Sequence, residues 1–222
     1  MAIAVLAPFV LVFLITAQDA LAGNEEDFLA GRTMDCPGCQ LADVNLKRAD
    51  LAGADLSNAN LSGANLHRVR LRGANLAGAN LEGANLNKSD LQNADLSGAN
   101  LTDAMLFEAD LSRANLSGAI MVRALAGRIK LTRANLEGAE MTAVDFKGAR
   151  MANANFKNAD MRRSNMQAAN MRRVNLQGAQ LDLTGFVQAQ LREADLSGAM
   201  ARGVDFFDAD LHGANLSDTD FT

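Results

Sequence analysis

From Leu41 to Phe221 a large apolar residue returns at every fifth position, with no insertion or deletion. The series holds 37 central positions, and all but Ala126 and Ala201 are Leu, Met or Phe. Two residues before each centre stands a small side chain, usually Ala and otherwise Val, Ser, Thr, Ile or Cys39. The residue between them is most often Asn or Asp, as in Ala59-Asn60-Leu61-Ser62-Gly63. An α-helix advances about 100° per residue, so a five-residue period would wind the apolar side chains around its axis, and a strand alternates every second residue. Neither element accommodates the pattern. What remains is a coil that turns one corner per unit, with the large centre and the small residue inside and the other three residues outside.

Glycine locates the corner. Fourteen of the 18 glycines fall two residues after a centre, and Asn58, Asn93, Asn153 and Asn158 share that slot. Both residue types tolerate the positive φ that the second central residue of a type II turn requires. Each corner is therefore expected to be a four-residue turn running from one centre to the next small residue.

Tandem Ala-(Asp/Asn)-Leu-X-X over residues 36–222 resembles the pentapeptide-repeat family. The resemblance implies an all-β solenoid, a right-handed quadrilateral β-helix with four pentapeptides in each 20-residue coil. The chain would then make about nine coils, a rod of about 45 Å if coils are spaced like paired strands at about 4.8 Å. Residues i and i+20 stack in such a rod, which sets Ala126 beneath Phe146 and Ala201 beneath Phe221, a large ring above each gap. The run Met141, Phe146, Met151, Phe156, Met161, Met166 and Met171 falls on inward slots. Core packing by an adaptable side chain accounts for its methionines better than soft ligands for copper.

The chain divides at residues 1–22, 23–35 and 36–222. Residues 1–22 read as an export signal: an uncharged, mostly apolar run from Ala2 to Ala17, then Ala20-Leu21-Ala22 before Gly23. Cleavage is expected after Ala22, with an uncleaved anchor as the alternative; the run is short against the roughly 20 residues of a membrane span. Either way the body lies outside the cytoplasm, periplasmic or extracellular, with a thylakoid lumen as a further compartment of the same kind. Residues 23–35 form an N-terminal cap, a short helix with Asn24 as N-cap and acids in its first turn, whose Phe28 and Leu29 are expected to cover the first coil. Cys36 and Cys39, the two cysteines, bracket Pro37-Gly38 at the first corner. A structural disulfide, a redox pair and half a zinc site are the readings of such a pair. An exported chain favours the disulfide. Zinc would need further ligands, and the two histidines, His67 and His212, lie about seven coils apart on the four-unit coil. At the other end Leu211, Leu216 and Phe221 leave an apolar coil without a lid, which suggests end-to-end association of two rods.

The four sides of the coil can be named by their first central residues. The Leu56 side is bland, and the Leu51 side mixes arginines with acids. The Leu46 side is basic near its N-terminal end, with Lys47, Arg48, His67, Arg68 and Lys88. Further along it exposes Met105, Phe107 and Leu125, then Val187 and Phe207, where the repeat calls for polar residues; Ile120 and Val122 extend this around the corner. Met105, Phe107, Leu125, Val187, Phe207, Lys47, Arg48 and Arg68 are therefore the candidate residues for holding a protein partner.

No Ser-His-Asp or Cys-His set, metal cluster or phosphate loop is legible, so no catalytic residue, cofactor or metal is assigned. The formal charge of −5 falls only to −4 when Asp19 leaves with the signal, which gives nucleic acid or anionic lipid no overall attraction. Membrane insertion is not expected once the signal is removed. The family resemblance also implies an alternative, a DNA mimic that inhibits or protects a topoisomerase. Against it stand the export signal and the absence of a strongly acidic side. The reading is a structural or interaction scaffold.

Overall fold

Residues 24–222 are described by a computed structural model; the export signal expected at 1–22 lies outside the described residues. From Gln40 to Asp220 the chain forms a right-handed quadrilateral β-helix in which every bridge is parallel and joins residues 20 apart, Gln40 to Asn60 at one end and Met200 to Asp220 at the other. The register never slips, because a shift of one residue would expose every central side chain. Each side is only one bridged residue long. The five-residue unit turns its corner before a longer strand can form.

Backbone pairing explains the unit residue by residue. In the unit centred on Leu76, the N–H groups of Leu76 and Gly78 donate to Asp95 and Ser97 of the next coil at 2.6 and 2.8 Å. Ala79 N–H closes the corner on the Leu76 carbonyl at 3.0 Å, and Asn80 N–H reaches the previous coil at Ala59 at 2.9 Å. The fifth donor, Ala77 N–H, points outward and has no backbone acceptor. Asn75 Oδ1 takes it at 3.2 Å, and this is why the residue before the centre is Asn or Asp. The same cap recurs at Ser57, Glu82, Ser97, Thr102 and Ser117.

The side chain that caps one coil also binds the coil before it. Asn115 Nδ2 donates to Asp95 Oδ1 at 3.0 Å, Asn135 to Asn115 at 3.2 Å, and Asn155 to Asn135 at 3.0 Å, forming a side-chain ladder along the Leu56 side. A second ladder runs from Gln40 through Asn60 and Asn80 to Asn100.

At every corner from Gly38 to Asp218 the second turn residue lies at positive φ, and 23 of these residues are not glycine. Glycine and asparagine were expected there. Arg48, Arg68, Arg113, Arg123, Arg128, Arg133, Arg163 and Arg173 occupy the slot as well. Left-handed backbone costs such residues about 1–2 kcal/mol each. The corner bond and the two inter-coil bonds that flank it hold them there, while the side chain projects into solvent.

The core is continuous. Central residues from Leu51 to Ala201 are at most 7% exposed, and the methionine run is fully buried, which leaves it to packing. Ala126 and Phe146 are both buried on adjacent levels, as the stacking rule requires. Ala201 is buried too, with the Asp220 carbonyl of the level above accepting its N–H at 2.7 Å, while Phe221 is 48% exposed and stands edge-on to Phe206. Three buried hydroxyls replace alanine in small slots, and Ser164 Oγ both accepts from Val144 N–H and donates to the Met141 carbonyl, bridging the corner below.

The first coil is closed by a helix over residues 24–29. Asn24, the first described residue, is itself helical. Phe28 is buried against the core, whereas Leu29 is 56% exposed. Neighbouring residues of a helix diverge by about 100°, so only one of the two can face the coil. Two carboxylates finish the edge: Glu25 Oε1 accepts Gln40 N–H at 2.6 Å and Asp35 Oδ1 accepts Asp55 N–H at 2.8 Å, in place of a preceding coil. Cys36 and Cys39 are buried with their sulfurs at bonding distance and Cα atoms 5.4 Å apart, with Gly38 between them at a φ of 71°.

Replacing Asn115 by Ala removes one cap and two rungs, and is expected to lower stability by about 2 kcal/mol in denaturant titration. Asn115→Asp is expected to destabilise too, because it sets a second carboxylate against Asp95. Stability is also expected to fall with acid. The Asp55 carboxyl is held below its ordinary value by the Ser57 hydroxyl and amide, against a small opposing effect of burial. Burial pushes Asp195 and Asp110 up, but the hydrogen bonds and charges around them outweigh it, and Asp220 is drawn down to about 2, first by the Thr222 hydroxyl. Carboxylates lowered on folding stabilise the coil above their unfolded value of about 3.9 and lose that contribution as pH falls toward their folded values. His67, also held below its ordinary 6.5, adds an earlier loss that begins near that pH. Thermal melts at pH 7, 5 and 3 are expected to show the steepest drop between the last two.

Candidate functional site

The series of capping side chains on the Leu46 side breaks in the middle of the rod. Its bridging column reads Asn45, Asn65, Asn85, Met105, Leu125, Asp145, Asn165. Met105 and Leu125 can neither cap an outward N–H nor form a rung. Asn87 of the coil below rescues one donor, accepting Phe107 N–H at 2.7 Å. Gly127 N–H has no acceptor among the described residues.

The two apolar side chains and Phe107 line a groove of about 490 Å³, with Gly127, Lys147 and Ala168 among its other walls. Phe107 is 40% exposed and Leu125 55% exposed. The Phe107 ring packs over Gly127, where a Cβ would meet it at 3.3 Å. Gly127 sits one residue after its centre and has no positive φ, so backbone conformation does not demand glycine. A polar cleft of about 340 Å³ adjoins the groove around the corner, lined by Glu108, Arg128, Lys130, Gly148 and Arg150. Arg128 reaches Glu108 at 3.2 Å, and Lys88 approaches the same carboxylate at 3.6 Å.

Of the candidate residues, the structure brings Met105, Phe107 and Leu125 into one groove. Lys47, Arg48 and Arg68 lie on the same side, two to four coils nearer the N-terminal end, and form no ion pair among the described residues. Val187 and Phe207 lie three to five coils beyond the groove residues and do not line it. Phe207 is 65% exposed there, with Leu183 on the neighbouring corner at 58% and a φ of 59°. Ile120 and Val122 are half-buried on the adjoining side and are not part of the groove. Sequence reasoning missed Gly127, Lys147 and Leu183. The 20-residue register could have supplied the first two, since 127 and 147 follow 107 in one column.

His67 stands within the basic cluster. Partial burial first, then the charges of Arg68, Lys47, Lys88 and Arg48, hold its imidazole below the ordinary value. This marks a positive local potential on a chain of net negative charge.

Comparison with known proteins agrees with this architecture. HetL, a pentapeptide repeat protein involved in heterocyst differentiation regulation from the cyanobacterium Nostoc sp. strain PCC 7120, is similar over 89% of this chain and 93% of its own, at 28% identity and a TM-score of 0.67. Rfr23, a pentapeptide repeat protein from the cyanobacterium Cyanothece 51142, is 23% identical over 91% of this chain and 99% of its own, with a TM-score of 0.32. A pentapeptide repeat protein of the Arabidopsis thaliana thylakoid lumen is 32% identical over 52% of this chain and 67% of its own, with a TM-score of 0.26. A search of curated proteins finds no match. The family described as Pentapeptide repeats (8 copies) matches residues 39–76, 64–103, 74–113 and 109–148, and the Pentapeptide repeat region matches 139–216. With matches along almost the whole coil, the chain belongs to the pentapeptide repeat family.

Proposed function

We propose that this protein is a non-enzymatic interaction scaffold, exported from the cytoplasm, which holds a protein partner on its Leu46 side. One observation carries the reading: at Met105 and Leu125 the chain gives up the capping and ladder bonds that its repeat makes elsewhere, and sets apolar side chains around a groove instead. A local rule broken at a cost in stability, with exposed apolar surface gained, is what a binding face looks like in an otherwise regular fold. The cations Lys47, Arg48 and Arg68 continue the same side, and they weigh against imitation of DNA, which needs an acidic surface.

Phe107→Ser/Leu125→Ser is expected to keep the melting temperature of the parent within about 2 °C, since both side chains are largely exposed. Used as bait on the exported fraction, the variant should lose the partner that the parent retains after cross-linking. An identical set of captured proteins would remove the Leu46 side from the reading. Mass spectrometry of the mature chain is expected to find Gly23 at the N-terminus, and a chain beginning at Met1 would turn the export signal into an anchor.

End-to-end association of two rods belongs to the same proposal. Leu216 and Phe221 are 38% and 48% exposed on the last described coil. Sedimentation at high concentration is expected to show a dimer that Leu216→Ser/Phe221→Ser abolishes.

A further inference from the structure

The basic cluster and the apolar groove are two ends of one strip. Arg48, Arg68 and Lys88 occupy the same corner on three successive coils, about 4.8 Å apart, with Lys47 and His67 beside them. Like charges at that spacing repel. Lys88 finds Glu108, but Arg48 and Arg68 have no acid within ion-pair distance among the described residues. Burial first, and then the charges of Arg68, Lys47, Lys88 and Arg48, hold the His67 imidazole below its ordinary value. One coil beyond Lys88 the groove begins at Phe107, and it runs over Gly127 to Leu125. From Arg48 to Leu125 the strip climbs four coil steps, about 19 Å, the span of about six residues of extended chain.

We propose that this strip receives a linear acidic segment of a partner protein, with about three Asp or Glu side chains over the cationic column and one large apolar side chain, two or three residues further on, seated in the groove. The inference rests on the partner-face reading and gives that partner its chemistry. Charge complementarity selects the acids: they relieve the repulsion along Arg48, Arg68 and Lys88. Shape selects the apolar residue, because Met105, Phe107 and Leu125 wall an open groove with apolar side chains. A polyphosphate or nucleic acid strand would answer the cations and leave the groove empty. A small apolar ligand would enter the groove without using the cations.

The test uses the full mature chain and three synthetic hexapeptides, acetyl-Glu-Glu-Glu-Gly-Gly-Phe-amide, its Gln-Gln-Gln analogue and its analogue ending in Gly. Affinity is read from chemical-shift titrations, and the imidazole of His67 is followed against pH with His212, the other histidine, as internal control. The acidic Phe peptide is expected to bind at least tenfold more tightly than either analogue, to raise the His67 pKa and to leave His212 unmoved. Arg48→Gln/Arg68→Gln should remove the advantage over the Gln analogue. Gly127→Val, whose side chain would push the Phe107 ring from its place over residue 127, should remove the advantage over the Gly analogue, with circular dichroism unchanged. Equal affinities for the three peptides, an unmoved His67 at saturation, or tight binding of inorganic polyphosphate with none of the peptide would each overturn the proposal. Were capture in the cross-linking experiment to depend on Phe107 while the peptides fail, the partner face would stand and only its acidic specificity would fall.

Discussion

Pairing between coils one 20-residue turn apart is the interaction on which everything else in this molecule depends. Each unit sends two N–H groups up to the next coil, one down to the previous coil and one across its own corner, so four of five donors are satisfied by backbone alone. A solenoid built this way has few contacts that are not between neighbours, and its stability is close to a sum over coils. It also explains why the core can be made of small and medium side chains. The backbone fixes the tube's cross-section, and one Leu and one Ala per side fill it to the density of an ordinary interior.

The fifth donor is where composition and stability meet. Because Ala77 N–H and its counterparts face outward, the repeat needs an acceptor one residue before each centre; Asn or Asp supplies it, and the Asn amide can also donate to its counterpart on the previous coil. That requirement also makes the exceptions informative. Lys130 and Arg150 forgo the cap and stay polar, and Lys130 pairs with Asp110 at 3.1 Å. Met105 and Leu125 forgo it and put apolar side chains on an outward face, Leu125 exposed and Met105 half-buried.

Corner residues bear strain that the coil repays through the bonds around them. A leucine at positive φ, as at Leu183, is an outlier in most folds, yet here every corner imposes that conformation whatever side chain it carries. The coil has therefore freed its corners to carry arginine and lysine. Columns of charge at coil spacing follow from that freedom, and they give the Leu46 side its basic end.

The five-residue period by itself determined a coil that turns one corner per unit and the slots that face inward, because no helix or strand can bury a side chain at every fifth position, while the four-unit, 20-residue register came from the resemblance to the pentapeptide-repeat family. It also located the candidate residues on one side, since their column follows from their number. What only the tertiary structure decided is which of them meet. Met105, Phe107 and Leu125 share a groove in which the Phe107 ring packs over Gly127, and the direction in which an outward ring turns has no record in the repeat pattern. Val187 and Phe207 share the column and are separated from the groove by coil height. Likewise the cap uses Phe28 and not Leu29, for the direction a short helix presents to a coil depends on how the two dock, and no periodicity in 24–35 records it.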